Sequence, residues 1–150
     1  AVDVEGVAHH GVADAIADSN SVKIFICNLM TQPGETDGFT ARHHIEVFKE
    51  YASQIEFDYV IVNDHPISEE QMAKYADEAA EQIGVHGSIT PETIDGSEIV
   101  YGNLLDDGEM VRHHPEKLAQ VLLLCALQPR EKTITNYELG IASVRTDAVS

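Results

Sequence analysis

Two segments of this chain are nearly all apolar and rich in β-branched residues: Val-Lys-Ile-Phe-Ile-Cys at 22–27 and Phe-Asp-Tyr-Val-Ile-Val at 57–62. Short apolar runs bounded by polar stretches mark strands buried on both faces, as in parallel sheets. Between them the period becomes helical, with Ala41, Ile45, Phe48 and Ala52 on one face. A second helix is predicted over about 68–83. Ser68 and Gln71 form its capping box, Met72, Ala76, Ala79 and Ile83 its inner face, and Gly84 its stop. Residues 85–96 read as irregular, and Ile99-Val100-Tyr101 as a short strand. The last helix is predicted from His114 or Pro115 to Leu127, ending near Pro129. It is apolar almost all round, which predicts burial on most faces. Ahead of the first strand, Val12, Ala13 and Ile16 have helical spacing, and Ser19-Asn20-Ser21 breaks it.

Strands alternating with helices make βαβ units, so the fold class is α/β, with a mostly parallel sheet and helices on both faces. The expected organisation is one domain over 1–128 and a tail over 129–150, where Thr133-Ile134-Thr135 has weak strand character. In such sheets ligands bind beyond the carboxyl ends of the strands. That rule selects the loops 28–38, 63–66 and 102–112.

Composition narrows the partners. Nine Lys and Arg against 26 Asp and Glu leave a net charge of −17. Phosphate backbones and anionic membranes are held by clustered cations, so neither nucleic acid nor a membrane surface is an expected partner. The longest apolar run, 121–127, is too short to span a bilayer, and no signal peptide opens the chain; the expected location is cytoplasmic. Cys27 and Cys125 each sit in an apolar segment and read as buried, reduced thiols.

The 28–38 loop carries the most chemistry. Asn28, Thr31, Gln32 and Thr36 offer neutral hydrogen-bonding groups, Gly34 and Gly38 allow close backbone approach, and the following helix start supplies oriented N–H groups. This set suits a phosphate or a sugar. Asp37 suits ribose hydroxyls or a phosphate-borne Mg²⁺. The alternative is a loop whose polar side chains only satisfy its own backbone. Arg112 has two open readings: a bidentate clamp on pyrophosphate, or an ion pair with Asp106, Asp107 or Glu116. Histidines come as the adjacent pairs 9–10, 43–44 and 113–114, and neighbours on a helix do not face one another, so no metal site is expected. His44 or His113 reads instead as a ligand-contacting donor. The acidic run 104–109 reads as a solvated loop.

The segment 22–39, Val-Lys-Ile-Phe-Ile-Cys-Asn-Leu-Met-Thr-Gln-Pro-Gly-Glu-Thr-Asp-Gly-Phe, resembles the signature strand and loop of the gluconeogenesis-factor (YvcK) family, relatives of the CofD 2-phospho-L-lactate transferases. The stretch 57–63, the Gly102-Asn103-Leu104-Leu105 step and Val111-Arg112-His113 leading into 115–119 fit in order. The resemblance implies a Rossmann-like three-layer αβα fold, incomplete in this chain and corresponding to a C-terminal portion. The family's glycine-rich nucleotide loop (Gly-Gly-Gly-Thr-Gly) and its Gly-Pro-Gly-Ser segment do not occur here. It implies a regulator that binds nucleotide-sugars of the UDP-N-acetylglucosamine type and links carbon metabolism to cell-wall precursor supply and cell shape. No other cofactor is implied; a metabolic-enzyme partner and a homo-oligomer are compatible with it. Carried onto this chain, Asn28, Thr31, Gln32, Gly34, Glu35, Thr36 and Asp37 border the ligand cleft, and Arg112 matches the arginine of nucleotide-sugar binding. Where the family reads Ser-Asp-His, this chain has Arg42-His43-His44 and keeps only His44. Two further readings stand beside it. One is a CofD-like transferase moving a phospholactyl-type group from a nucleotide-activated donor. The other is a purely structural domain, which requires the 28–38 loop to be buried and internally satisfied.

Overall fold

The computed structural model describes residues 4–84, 93–128, 138–139 and 142–143. Helix α1 (Val4–Asp18) precedes strand β1 (Ile24–Ile26), helix α2 (Ala41–Tyr51) and strand β2 (Tyr59–Asn63). Then come a short helix α3 (Glu69–Ala73), a 3-10 turn (Ala76–Glu78), a hairpin of β3 (Thr93–Ile94) and β4 (Ser97–Gly102), and helix α4 (Pro115–Leu127). Two-residue strands β5 (Glu138–Leu139) and β6 (Ala142–Ser143) complete the described elements. The sheet runs β1-β2-β4-β6-β5, with β3 beside β4. Its long members pair in parallel, Ile26 with Ile61 and Ile61 with Val100, and the short ones antiparallel.

The βαβ reading therefore holds, and it holds for the expected reason. All five residues of β2 are buried, and its side chains divide between two cores. Tyr59 and Ile61 pack with Val100, Leu104, Val121 and Cys125 beneath α4. Val60 and Val62 pack with Cys27, Ile45, Ile83, Ile99 and Tyr101 beneath α2. Three layers result, and the two buried thiols lie on opposite faces, so they cannot pair. Burial pushes the Cys27 thiol up to about 12 and Cys125 up to about 11, so both remain protonated at neutral pH.

Three local expectations change. The predicted helix over 68–83 stops at Ala73: Ala79 turns left-handed (φ 53°), and residues 81–83 are drawn into antiparallel pairing with 29–31. Thr31 N donates to Glu81 O at 2.8 Å, and Ile83 N to Leu29 O at 2.9 Å. This long-range pairing overrides helix propensity. Within 85–96, taken as irregular, residues 93–96 form a hairpin turn; Asp95 (φ 53°) and Gly96 (φ 82°) both take the positive dihedrals of a type I′ turn. Lys49 at the end of α2 clasps that turn through Asp95 at 2.8 Å. The rest of 85–96 and the Thr133-Ile134-Thr135 expectation lie outside the described residues. Finally, α4 begins where predicted, capped by His114 with Pro115 in its first turn, but only one stripe of it is covered. Leu123 is 60% and Leu127 71% exposed, because the sheet masks the face of Val121 and Cys125 alone.

Gly84 closes the segment under β2. It has φ +95°, and a Cβ there would stand 2.6 Å from Val62 Cγ1 and 3.1 Å from the Asn63 carbonyl. Gly84→Ala is expected to destabilise the fold by about 2–4 kcal/mol, combining left-handed strain with overpacking. Urea unfolding of the purified variant checks this; an unchanged midpoint would show that the segment can move aside.

Candidate functional site

The loops that follow β1, β2 and β4 leave the same edge of the sheet, and their backbone polar groups must find partners there. The carboxamide of Asn63, last residue of β2 and 2% exposed, serves two of them. Its Oδ1 accepts from Leu104 N at 3.0 Å, and its Nδ2 donates to His65 O at 2.6 Å. Gln82 works beside it, accepting from Ile67 N at 2.8 Å and donating to His65 O at 2.7 Å. Gln71, 9% exposed, donates to the carbonyls of Asp106 (3.2 Å) and Gly108 (2.8 Å). Its Oε1 returns to the Ser68 hydroxyl at 3.1 Å rather than to the Ser68 N–H, so the capping box is realised as Ser68 Oγ accepting from Gln71 N at 3.2 Å and donating to the Gln71 side chain. Beneath these bonds lies an apolar floor of Leu29, Ile67 and Leu105, with Met30, Met72 and Val111 against it. Each of the three loops contributes to it.

The 28–38 loop divides into two halves. Its first half is scaffold: Thr31, 5% exposed, takes the Glu81 N–H on its Oγ1 at 2.8 Å. Its second half is a tight exposed turn held by its own side chains. Thr36 Oγ1 accepts from Gln32 N at 2.7 Å, and Asp37 Oδ2 from Gly34 N at 3.0 Å. Thr31, Thr36 and Asp37 thus support the loop, as the self-satisfied reading expects, while the exposed Asn28, Gln32 and Glu35 point their side chains outward from it. The loop is internally braced but not buried, so it meets only half the requirement for a purely structural domain.

The 103–114 loop is closed on itself by Asp106 N to Arg112 O (3.0 Å) and His114 N to Leu104 O (2.8 Å). Arg112 Nε donates to Asp106, so the ion-pair reading is realised. That pair holds the Asp106 carboxyl below its ordinary range. The Arg112 side chain is nonetheless 68% exposed. Next to it, the His113 ring lies against the backbone of Cys27, where this loop meets the end of β1. Its Nε2 is buried without a partner among the described residues. On α2, His44 Nδ1 lies 2.9 Å from the Thr40 carbonyl, which can only accept, and its Nε2 is buried without a partner among the described residues.

Two hollows adjoin these elements. One of about 290 Å³ lies between α3 and the 103–109 segment, lined by His65, Gln71, Lys74, Asn103, Asp106 and Glu109. A larger, apolar groove of about 910 Å³ follows the outer edge of β1, against Val12, Ile16, Phe48 and Phe57. The groove lies against the strand's flank and α1, away from the loops, so its size does not make it the ligand cleft. No group of three metal-ligating side chains occurs among the described residues. No described helix is long and apolar enough to cross a membrane.

Sequence reasoning missed Asn63, Gln71 and Gln82 as organisers of the site. Only the Asn63 position gave a signal, a polar residue closing an apolar strand. Asn63→Ala is expected to destabilise by about 1–3 kcal/mol, since it leaves the buried Leu104 N–H without a partner, while the His65 carbonyl keeps Gln82. Denaturant unfolding reads this directly. Arg112→Ala, at an exposed pair, should leave the Tm nearly unchanged. Burial holds the His113 imidazole below its ordinary 6.5, outweighing the opposing bond to Cys27. The fold thus favours the neutral ring, and its contribution is full above about pH 6.5 and fades as pH falls through the lower folded value. Stability measured between pH 7 and pH 5 should therefore fall more steeply in the wild type than in His113→Asn.

Residues 7–105 match the family model described as 2-phospho-L-lactate transferase CofD. A Nostoc sp. relative is 37% identical over 75% of this chain and 25% of its own length. A Halalkalibacterium halodurans protein named gluconeogenesis factor is 34% identical over 75% of this chain and 35% of its own. A crystal structure from Bacillus halodurans, described as a member of the UPF0052 family, superposes with a TM-score of 0.65 at 31% identity, over 75% of this chain and 36% of that one. The chain thus spans about a quarter to two fifths of the length of the curated relatives it matches. With two thirds of its residues inside the family model and its sheet superposing on a solved relative, the chain belongs to the CofD family and is similar to its gluconeogenesis-factor members.

Proposed function

We propose that this chain forms part of a cytoplasmic nucleotide-sugar-binding regulator of the gluconeogenesis-factor type. Its ligand is of the UDP-N-acetylglucosamine class, and its role is to link carbon metabolism to cell-wall precursor supply and cell shape. The observation that carries the reading is the convergence of three strand-end loops on one apolar floor, joined at the Cys27–His113 contact, with an exposed guanidinium on one loop and exposed amides on another. Ligands of open α/β sheets sit at this edge. Arg112 would meet the pyrophosphate, and Asn28, Gln32, Glu35 and His44 the sugars, while Gly34 allows close approach and Thr31, Thr36 and Asp37 hold the loop in shape. A regulator of this kind acts through a protein, so a metabolic enzyme is the proposed partner, and self-association is part of the same proposal.

The test is calorimetric titration of UDP-N-acetylglucosamine into the chain. Saturable binding weakened about tenfold or more by Arg112→Ala, a charge-assisted contact, is the expected result. Silence both here and in the full-length Halalkalibacterium relative would sink the reading. The family model's own description favours a second possibility, a transferase that takes a phospholactyl-type group from a nucleotide-activated donor. Release of free nucleotide during the titration would move the conclusion there.

A further inference from the structure

Arg112 is set from a single residue, Asp106. The Asp106 N–H donates to the Arg112 carbonyl at 3.0 Å, and the Asp106 carboxylate takes the Arg112 Nε–H. Backbone and side chain of the arginine therefore share one anchor. That anchor is held in turn from α3, where Gln71 Nε2 donates to the Asp106 carbonyl at 3.2 Å and to the Gly108 carbonyl at 2.8 Å. Gln71 has little slack of its own: it is 9% exposed, and its Oε1 accepts from the Ser68 hydroxyl at 3.1 Å. The segment that follows adds weaker ties. Lys74 meets Glu109 at 3.0 Å in an exposed pair, and Tyr75 Oη accepts from Val111 N at 3.3 Å. Asp106 and Gly108 are only half-buried, so water is an alternative partner for their carbonyls, and the Gln71 bonds add direction more than stability.

We propose that Gln71 is a positioning residue for Arg112: acting through Asp106, it holds the guanidinium in its binding orientation before a ligand arrives. This rests on the nucleotide-sugar reading in one respect, that Arg112 is the group that meets the pyrophosphate; the positioning itself is a property of the free chain. The donors of a guanidinium lie in one plane, so they match phosphate oxygens only when that plane is correctly turned. The Asp106 carboxylate can turn it only while the Asp106 backbone is fixed, and the side-chain hydrogen bond that fixes this backbone from outside the loop comes from Gln71. A long side chain ordered in advance loses less rotamer freedom on binding, which is what preorganisation contributes to affinity.

The test reads positioning and binding separately. In the ligand-free chain labelled with ¹⁵N-arginine, heteronuclear relaxation of the Arg112 Nε–H reports the mobility of the guanidinium. Gln71→Met keeps the length of the side chain and removes its donor; Gln71→Glu, which keeps an oxygen toward Ser68, is the second variant should the first not fold. Ser68→Ala is the control, since it removes the cap of α3 and leaves the Gln71–Asp106 bond. The expected result is a rigid Nε–H in the wild type and in Ser68→Ala, and a mobile one in the Gln71 variants, with circular dichroism unchanged. Affinity for UDP-N-acetylglucosamine should fall about threefold to tenfold in Gln71→Met, the scale of ordering one long side chain. In an Arg112→Ala background the same substitution should have no further effect, because Gln71 acts through the arginine. Equal Nε–H mobility in the wild type and the Gln71 variants, or an equal loss of affinity in the Arg112→Ala background, overturns this inference and leaves the nucleotide-sugar reading standing. A wild type that does not bind overturns that reading alone, since the relaxation data decide the positioning without ligand.

Discussion

Two segments leave this sheet, after β2 and after β4, and one carboxamide ties both to the end of β2. Asn63 accepts from Leu104 N and donates to the His65 carbonyl from a position 2% exposed. Leu104 is itself fully buried beneath α4, so its N–H has no solvent to turn to. Fixing Leu104 fixes the start of the 103–114 loop, and His114 N returns to the Leu104 carbonyl at the far end of it. The cap that begins α4 therefore inherits its place from the end of β2. An unpaired buried amide costs more than the bond itself contributes, so this junction tolerates little variation.

Above that junction the loops share work in an uneven way. The apolar floor of Leu29, Ile67 and Leu105 sets their spacing without direction, since hydrophobic contact is not directional. Direction comes from hydrogen bonds: Glu81 N to Thr31, and Gln71 to the carbonyls of Asp106 and Gly108. Much of the loop chemistry that looks like ligand chemistry is thus consumed in shaping the cleft. What remains outward is the set of exposed amides at Asn28 and Gln32, the Glu35 carboxylate and the Arg112 guanidinium. Such a division, rigid support beneath a few free polar groups, is what preorganised binding requires.

The elements legible in the sequence are those whose identity is local. β1, β2 and α2 follow from apolar period alone, and α4 from Pro115 behind a polar cap. The end of the second helix was not legible, because residues 81–83 are claimed by 29–31, some fifty positions away, and no local pattern announces that pairing. Asp95-Gly96 was a readable hairpin signal, masked by the turn-rich residues around it. The site was legible at its backbone and not at its side chains. Which loops converge follows from sheet topology, whereas Thr31, Gln71 and Gln82 owe their roles to what they happen to face. Thr36 and Arg112 show the limit: the residue types admitted two readings each, and only geometry placed Thr36 on Gln32 N and Arg112 on Asp106.

A net charge of −17 opposes an anionic ligand, so the proposed reading depends on the local arrangement around Arg112. Arg112 meets Asp106 through Nε, and its side chain remains 68% exposed. The carboxylate therefore orients the cation without enclosing it. In the proposed reading, a pyrophosphate at that guanidinium gains charge-assisted bonds, which are stronger than neutral ones. Screening at physiological ionic strength mutes carboxylates beyond about 8 Å, so distant acids oppose the ligand weakly. In the proposed reading the acidic surface is a filter: it disfavours polyanions, which need many cations over a long track, and leaves room for a small anion that needs one guanidinium well placed.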